Sequence, residues 1–595
     1  MNKKLIVAII FIIIIVSVVF FPRSVSNAVV IKNGKTTLMY IDGNKKSFKL
    51  KLTLPENSVI GFNYNLLFTY NLKKQIPMID RFMKKTPYGY DLESLGNIPA
   101  SKTIKYYKID KNNKISKGNS SDLIIGINNL QSYKDSSGNL DTLLISPLSY
   151  DKMRVGITTT NNASFYHQSI RIKCTTATRL YSIIDKLDIN LPKDTDITFE
   201  LGNNKTKVSF NGSSKYYTNR LYLKGDKLLV ESIARGVPAF IPSYDGILEI
   251  TCTDSGLQLI NELPLEDYLY KVVPSEMLSN SGAEALKCQA IAARTYALFD
   301  MLSNRYSDYG FYVDDSTRSQ VYNNIEAKYS TTEAVNSTKS LVITYKDAPI
   351  DAKYYSTSSG MGSPYKDAFF YPDGTSDSRP YLIGNSSLIP SSLTLPKTEA
   401  QWLDFYKSTS INAIDKPSPY FRWTIDFSEA ALTKSLNKSL KELYLASSKY
   451  MKITKDGKKL ITFPDNLKTL QDIKVIKRGK YGNAIEVSFV FSNASINVSE
   501  DYNIRTVIRS DKAYTEDSTI AIKSYGGKSF SNNGFLPSSF ISFEKNSNGY
   551  KVYGGGSGHG VGLSQYGAIS LSALGLKYED ILKTYFKDVT IKKLQ

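Results

Sequence analysis

The chain has 595 residues, 42% of them hydrophobic. This is enough for sizeable cores, and the length suits roughly two to four domains. Lysine and arginine number 75 against 55 aspartates and glutamates, which gives a formal net charge of +20. That excess favours an anionic partner, such as nucleic acid, a membrane surface or a wall polymer, unless it serves solubility alone. Three cysteines imply no disulfide framework, and two histidines without a CxxC or HExxH motif argue against a structural zinc site.

The three cysteines are Cys174, Cys252 and Cys288, far apart along the chain. A single bridge between Cys174 and Cys252 is left open, because nothing in the sequence supports or opposes it. Cys288 lies inside a helical pattern, and we predict that it is a small residue of the core.

The N-terminus has the pattern of an export signal. Lys3 and Lys4 precede an apolar run over residues 5–21 in which Ser17 is the one polar residue. The run is just long enough to span a bilayer, so we predict an uncleaved single-pass anchor within residues 1–28. The two lysines then stay in the cytoplasm and the rest of the chain is extracytoplasmic, at the cell membrane. The alternative is cleavage after Ala28, which would give a secreted protein.

Residues 29–151 form a polar region rich in lysine and tyrosine. Two segments, TTLMYIDG and SFKLKLTL, alternate polar and apolar residues and are predicted to be strands. The segment KIDKNNKISKGNSSD is typical of a loop. We find no catalytic motif here and interpret the region as a β-rich accessory or spacer region.

From residue 152 onward the sequence predicts an α+β fold, mainly antiparallel β with a few packed helices. Alternating segments such as RVGITT, RLYLKG, KLLVES and GILEITCT predict strands. SGAEALKCQAIAARTYALFDML, rich in alanine and leucine, is the strongest helix pattern. A second helix is predicted over FSEAALTKSLNKSLKELYLA, and two more follow the glycine-rich segment near the C-terminus.

Glu276 stands in the segment LPLEDYLYKVVPSEM. Pro274 suits the first turn of a helix, which would place Glu276 near the third helical position. The alternative to a chemical role is that Glu276 only complements the helix dipole. Glu266 and Asp267 are also typical of a helix start.

The glycine-rich segment YGGGSGHGVGLSQYGA lies between a predicted strand and a predicted helix. It has neither a GxGxxG register nor a following GK[ST], so a nucleotide site is not indicated. We interpret it as a loop whose backbone approaches a ligand, with His559, Ser564 and Gln565 beside it; a purely structural glycine turn is the alternative. No GxSxG motif marks a serine nucleophile for His559.

Four segments, in order and at similar spacing, resemble the SpoIID/LytB family. They are NELPLEDYLYKVVPSEM with AEALKCQAIAARTYAL, then DDSTRSQVY, then AKYYSTSSG, and last GHGVGLSQYGAISLSALGLKYEDILKTYF. The resemblance covers roughly residues 152–595, which we therefore predict to be one domain of this type. It implies work on peptidoglycan outside the membrane.

Some members of this family are lytic transglycosylases, in which the glutamate of the PSEM segment is the catalytic acid; this residue corresponds to Glu276. We predict no cofactor and no metal, since the chain has only two histidines. Tyr355 stands where a histidine is common, Cys288 replaces an alanine, and Ser359 and Met361 depart from a common SGGxT run. The Tyr355 change argues against a metal site that would use that histidine.

Neutral donors suited to sugar hydroxyls and N-acetyl groups are the candidate substrate-binding residues, namely Gln289, Gln320, Ser356, Ser358, His559, Ser564 and Gln565. Arg294 would oppose protonation of a nearby acid. We therefore assign it to the scaffold or to contact with a substrate carboxylate.

Three functions remain open at this point. The first is a lytic transglycosylase that cleaves glycan strands during sporulation. The second is a non-catalytic wall-binding protein that enhances an amidase, as other family members do. The third is a scaffold in an engulfment complex, with residues 29–151 as the docking region. The expected partners are peptidoglycan and the membrane, with an amidase or that complex, and no nucleic acid.

Overall fold

The computed structural model describes residues 23–33, 36–48, 54, 56–64, 69–390, 394–530 and 534–594. The predicted anchor at residues 5–21 lies outside these ranges. Across the described ranges, no helix combines the length and the apolar character needed to cross a membrane.

The chain falls into two compact units. The first contains the described residues up to Val272 together with Asp300–Ile325, and the second contains Val273–Phe299 together with the residues from Glu326 onward. The predicted boundaries at residues 28 and 151 stay predictions.

The first unit begins with a five-stranded antiparallel sheet. In spatial order its strands are Asn44–Phe48, Thr37–Ile41, Arg23–Lys32, Val59–Tyr64 and Thr69–Lys74. Alternate residues of Thr37–Ile41 are buried, as the TTLMYIDG pattern predicts.

A seven-stranded sheet follows. Its strands in order are Met78–Asp80, Leu130–Lys134, Leu140–Ile145, Gly96–Ile109, Gly89–Leu92 and Phe82–Thr86, with Ile115–Lys117 beside Gly96–Ile109. Its pairs are antiparallel except for Leu140–Ile145 with Gly96–Ile109.

The third sheet of this unit has eleven strands. The main path is Ser213–Tyr217, Lys205–Phe210, Thr195–Gly202, Ser169–Cys174, Leu221–Val230, Ser243–Thr253, Gly256–Pro264, Lys152–Ile157 and Val313–Asp314. The hairpin Thr178–Ser182 and Leu187–Leu191 pairs with Leu221–Val230. These strands confirm the segments predicted from residue 152 onward.

A buried charge cluster lies in this sheet. Arg154 donates to Glu249 at 2.9 Å and to Glu262 at 2.7 Å, and the three side chains are at most 4% exposed. Arg220 also donates to Glu249, at 2.7 Å. Paired charges are the form in which ionised groups tolerate such burial.

The helices are few, as predicted. They are Leu265–Glu276, Ala283–Ser303, Tyr329–Ser337, Tyr365–Ala368, Glu399–Lys407, Glu429–Ser447, Asp501–Val507, Lys512–Thr515, Gln565–Ala573 and Tyr578–Tyr585. Single 3₁₀ turns occur at Ser120–Asp122, Thr160–Asn162 and Ser448–Tyr450.

The second unit has two five-stranded sheets. One has the order Ser529–Phe530, Ile522–Ser524, Trp423–Ser428, Gly549–Gly554 and Ile541–Asn546; the other has Lys458–Lys459, Met451–Lys455, Ala494–Ser499, Ala484–Phe491 and Leu470–Arg478. One apolar core joins both sheets to the helix Glu429–Ser447, through Leu432, Leu436 and Leu440.

Three smaller sheets complete the second unit. They are Ala348–Pro349, Leu341–Tyr345 and Thr590–Lys593; Met361–Pro364 with Ile383–Ser386; and Tyr354–Tyr355 with Leu563–Ser564. The predicted α+β, strand-rich fold is confirmed. All three cysteines are free thiols, so the bridge left open between Cys174 and Cys252 is not formed, and Cys288 is buried in a helix as predicted.

Candidate functional site

Glu276 is the last residue of the helix Leu265–Glu276. The prediction of a helix starting at Pro274, with Glu276 near its third position, is therefore wrong. The apolar residues Leu265, Tyr268, Leu269 and Val273 are buried at helical spacing, and this stripe carries the helix through Pro274 to its end. Burial along the stripe outweighs the hydrogen bond that the proline nitrogen cannot make.

The start of the same helix is as predicted. Glu266 and Asp267 lie in its first turn, where negative charge complements the helix dipole. Glu276, in contrast, lies at the C-terminal end, where a negative charge opposes the dipole. The interpretation of Glu276 as a dipole-stabilising residue therefore loses its physical basis.

The alanine-rich helix Ala283–Ser303 supplies a second side of the site. Its small residues allow close packing, and Gln289 and Arg294 are fully buried. The Arg294 guanidinium donates to the backbone oxygens of Leu341 at 3.2 Å and Val335 at 3.3 Å. Such contacts to backbone oxygens fit the scaffold role predicted for Arg294.

The third and fourth sequence motifs meet in a short parallel pair. Tyr354 is paired with Leu563, and Tyr355 with Ser564. The glycines allow this contact, because a Cβ at Gly562 would lie 2.1 Å from the backbone oxygen of Lys353. Gly562 also has φ of +81°, a conformation in which glycine is preferred. The backbone of the glycine-rich loop thus approaches the neighbouring strand.

This pairing brings polar groups to Glu276. The Tyr354 hydroxyl donates to Glu276 Oε1 at 2.8 Å. Gln565 Nε2 donates to the backbone oxygen of Glu276 at 3.1 Å and to Gln289 Oε1 at 3.2 Å. Glu276 itself is half-buried. Two of the predicted substrate-binding residues therefore form one network with the predicted acid.

Tyr354 is a site residue that the sequence analysis missed. The signal was the tyrosine doublet of the AKYYSTSSG motif, where only the second tyrosine drew attention as a departure from the family. The first one contacts Glu276.

His559 lies on the same loop, half-buried between the rings of Tyr355 and Phe369, at centroid distances of 5.8 and 5.2 Å. Its Nδ1 accepts from the Val561 amide at 3.0 Å. Burial, together with the nearby positive charge of Lys353, lowers the pKa of His559 far below the usual range of histidine. The ring is therefore neutral near pH 7.

Asp415, also missed, is fully buried behind the site. Its Oδ1 accepts from the Ser358 amide at 2.8 Å and from the Ser564 hydroxyl in a short hydrogen bond. Burial raises the pKa of Asp415 to about 6 despite these hydrogen bonds. Burial, together with the nearby charge of Asp415, raises the pKa values of Tyr355 and Tyr585 as well.

The other predicted substrate-binding residues differ in their burial and in the unit they belong to. Ser358 and Ser564 are buried and their hydroxyls bond within the protein, Ser564 also capping the helix Gln565–Ala573. Ser356 is half-buried and its backbone oxygen accepts from the Tyr566 amide at 3.0 Å. Gln320 belongs to the first unit, where its Oε1 accepts from the Tyr268 hydroxyl at 3.0 Å.

Within the ranges the structure covers, no group of three or more histidine, cysteine, aspartate or glutamate side chains is arranged to hold a metal ion. Activity without a metal or cofactor stays a prediction.

Comparison with known proteins finds similarity in the part of the chain that carries the sequence motifs. Residues 253–345, which include Glu276, match the SpoIID model, described as Stage II sporulation protein. The chain is 28% identical to the Amidase enhancer of Bacillus subtilis (strain 168) over 324 residues, 54% of this chain and 39% of that protein. It is 27% identical to Stage II sporulation protein D of the same organism over 352 residues, 56% of this chain and 76% of that protein.

A shorter match, 36% identical over 115 residues, links 17% of this chain to 33% of Stage II sporulation protein D of Bacillus amyloliquefaciens. These similarities support the resemblance to the SpoIID/LytB family that the four motifs predict.

Proposed function

We propose that this protein is a lytic transglycosylase of peptidoglycan, with Glu276 as the acid and base. The observation that carries this proposal is the environment of Glu276. Its carboxylate is half-buried at a helix end, and the Tyr354 hydroxyl holds one oxygen at 2.8 Å. A carboxylate fixed in this way can be aimed at one atom of a bound sugar.

The reaction needs only one carboxyl group. Glu276 gives its proton to the glycosidic oxygen as the bond from that oxygen to C1 of the muramic sugar breaks. The ionised carboxylate then takes the proton of the C6 hydroxyl, whose oxygen forms a bond to the same C1. The product is a 1,6-anhydro sugar, no water is consumed, and Glu276 recovers its proton. Hydrolytic glycosidases, in contrast, use two carboxylates.

The neighbouring residues serve orientation. The attacking hydroxyl belongs to the substrate, so holding the sugar in the right conformation supplies much of the rate. Gln565 fixes the backbone at Glu276 and is itself held by Gln289. His559, whose pKa burial lowers, is neutral and is our candidate contact for sugar hydroxyl or N-acetyl groups.

The test is Glu276→Gln, which keeps the size of the side chain but cannot exchange a proton. We expect the rate of glycan cleavage to fall at least to the upper part of the roughly 10²–10⁴-fold range of general acid–base catalysis. Binding of glycan and thermal unfolding should be unchanged. Glu266→Gln, in the first turn of the same helix, is the control and should keep full activity.

Product masses decide the reaction type. The wild type should yield anhydro-muramic ends, lighter by one water than the products of hydrolysis. Reducing ends would show a hydrolase and would contradict the proposal.

The second candidate function is enhancement of a wall amidase without catalysis. It is favoured by the similarity to a protein named Amidase enhancer. In that case wild type and Glu276→Gln would both leave glycan strands intact and would both raise the activity of an added amidase. We propose sporulation as the setting in either case, since other relatives carry that name.

A further inference from the structure

The second unit contains a groove of about 490 Å³ beside the segment that follows Glu276. One wall is formed by Ser279 and Asn280, directly after the helix that ends at Glu276. The start of the alanine-rich helix and the helix Tyr329–Ser337 form the others. None of these wall residues was singled out by the sequence motifs as a ligand contact.

The groove lies close to Glu276 along the chain. Ser279 follows Glu276 by three residues, so their Cα atoms are at most about 11 Å apart. The Ser330 hydroxyl donates to the Ser279 backbone oxygen at 2.7 Å, which ties two walls together. A polymer bound over Glu276 can therefore reach the groove within the length of a few sugar rings.

The lining has both flat and polar faces, and its charged residues, Lys287 and the exposed Glu333, do not favour an anion. Leu286 and Ala334 are buried at its base, and Tyr329 is 85% exposed at its edge. A tyrosine ring offers an apolar face together with a polar hydroxyl. The ammonium group of Lys287 is paired with Glu284 at 2.9 Å, which reduces its attraction for an anion.

We propose that this groove binds N-acetylated sugar rings of the glycan strand, with Tyr329 stacking on one ring. Apolar surfaces with a few hydroxyl and amide groups are typical of small-ligand sites, and sugar rings present such mixed faces. The inference rests on the proposed glycan substrate and adds a site that holds the strand away from the bond that is cleaved.

The experiment uses the full chain in detergent, carrying Glu276→Gln so that bound glycan is not cleaved. The probes are peptide-free glycan strands, an N-acetylglucosamine oligosaccharide and free stem peptide. Tyr329→Ala should weaken binding of both sugar probes about tenfold, which corresponds to about 1.4 kcal/mol. Tyr329→Phe keeps the ring and should bind within about twofold of the parent.

Tyr502→Ala removes a tyrosine of the second unit that is 58% exposed and does not line the groove, and it should leave binding unchanged. Equal sugar affinity of Tyr329→Ala and its parent would overturn the inference. Loss of stem-peptide binding with sugar binding kept would also overturn it, since the groove would then hold peptide.

Failure of the proposed function gives a different result. If the chain without the Glu276 change cleaves no glycan, but Tyr329→Ala still weakens binding of sugar, the groove assignment stands and the transglycosylase proposal falls. If that chain cleaves glycan and Tyr329→Ala changes neither sugar affinity nor KM, the transglycosylase proposal stands and the groove assignment falls.

Discussion

At the residue scale, the hydrogen bond between Tyr354 and Glu276 is the contact closest to the proposed chemistry. Tyr354→Phe removes the hydroxyl and keeps the ring that packs near Tyr296 at a centroid distance of 6.4 Å. A hydrogen bond to a charged group is worth about 1.5–3 kcal/mol, so we expect the rate of glycan cleavage to fall by roughly 10- to 100-fold. Turnover by product mass spectrometry measures this.

Tyr371→Phe is the matched control for that experiment. It also removes a hydrogen bond from a tyrosine hydroxyl to a carboxylate, because the Tyr371 hydroxyl donates to Asp377 at 3.0 Å. This bond lies on an exposed segment. Activity should stay at the wild-type level. An equal loss in both variants would mean that the effect is general and does not act through Glu276.

Asp415 predicts a pH-dependent stability. Its pKa is raised by burial from 3.8 to about 6, so folding favours the protonated form. The contribution of this group to stability is therefore greatest below about pH 4 and is lost as the pH rises through about 6. The difference amounts to about 3 kcal/mol at 1.36 kcal/mol per pKa unit.

Asp415→Asn tests this, because asparagine keeps an acceptor for Ser358 and Ser564 but does not ionise. The free energy of unfolding of the variant, relative to wild type, should rise by up to about 3 kcal/mol between pH 4 and pH 7. Tyr355 and Tyr585, which lie close to the carboxylate, do not titrate in this range because their pKa values are raised. A difference that is constant over pH would show that Asp415 ionises normally.

At the scale of elements, the buried charges of the eleven-stranded sheet make a stability prediction. Arg154→Met leaves Glu249 and Glu262 buried with fewer partners, and removing one partner of a buried pair costs about 3–5 kcal/mol. Unfolding by denaturant should show this loss.

The matched comparison is Arg179→Met in the same sheet. Its pair with Asp188 is 2.8 Å long, between the 2.7 and 2.9 Å of the buried pairs, but the side chains are 50% and 59% exposed. A fully exposed pair contributes little to stability, so this variant should unfold almost as the wild type does. Similar losses in both variants would contradict the view that burial sets the cost.

Elements with a regular local pattern could be predicted from the sequence. The alternation in AIEVSFVF matches the strand Ala484–Phe491, and Ser428 caps the helix Glu429–Ser447 by accepting from the Ala431 amide. In both cases the groups that decide the structure are neighbours in sequence.

Contacts between residues far apart in the chain could not be predicted from the sequence. Asp415 and Ser564 are 149 residues apart, and no spacing in the sequence links them. Pro274 was ambiguous for a related reason. A proline is tolerated early in a helix, and only the burial of the preceding turns shows that this one lies near the end. The family motifs placed Glu276 among the site residues, but not its partner Tyr354.

At the scale of the whole molecule, we propose that residues 5–21 anchor the chain in the membrane. The run is apolar and follows two lysines. The full-length protein should then sediment with membranes and resist extraction by high salt, since burial of apolar side chains is not weakened by salt. Immunoblotting of cell fractions measures this. A mature chain in the medium that begins near residue 29 would instead show a cleaved signal.

The chain enters each compact unit more than once, because residues 273–299 belong to the second unit and residues 300–325 return to the first. A protease that cuts the backbone once can therefore release neither unit; three cuts would be needed. A gene fragment that starts at residue 326 would encode most of the second unit without Glu276. One that starts at residue 152 would begin inside the first. Any single truncation that keeps one unit whole also keeps a piece of the other, residues 273–299 with the first unit or residues 300–325 with the second.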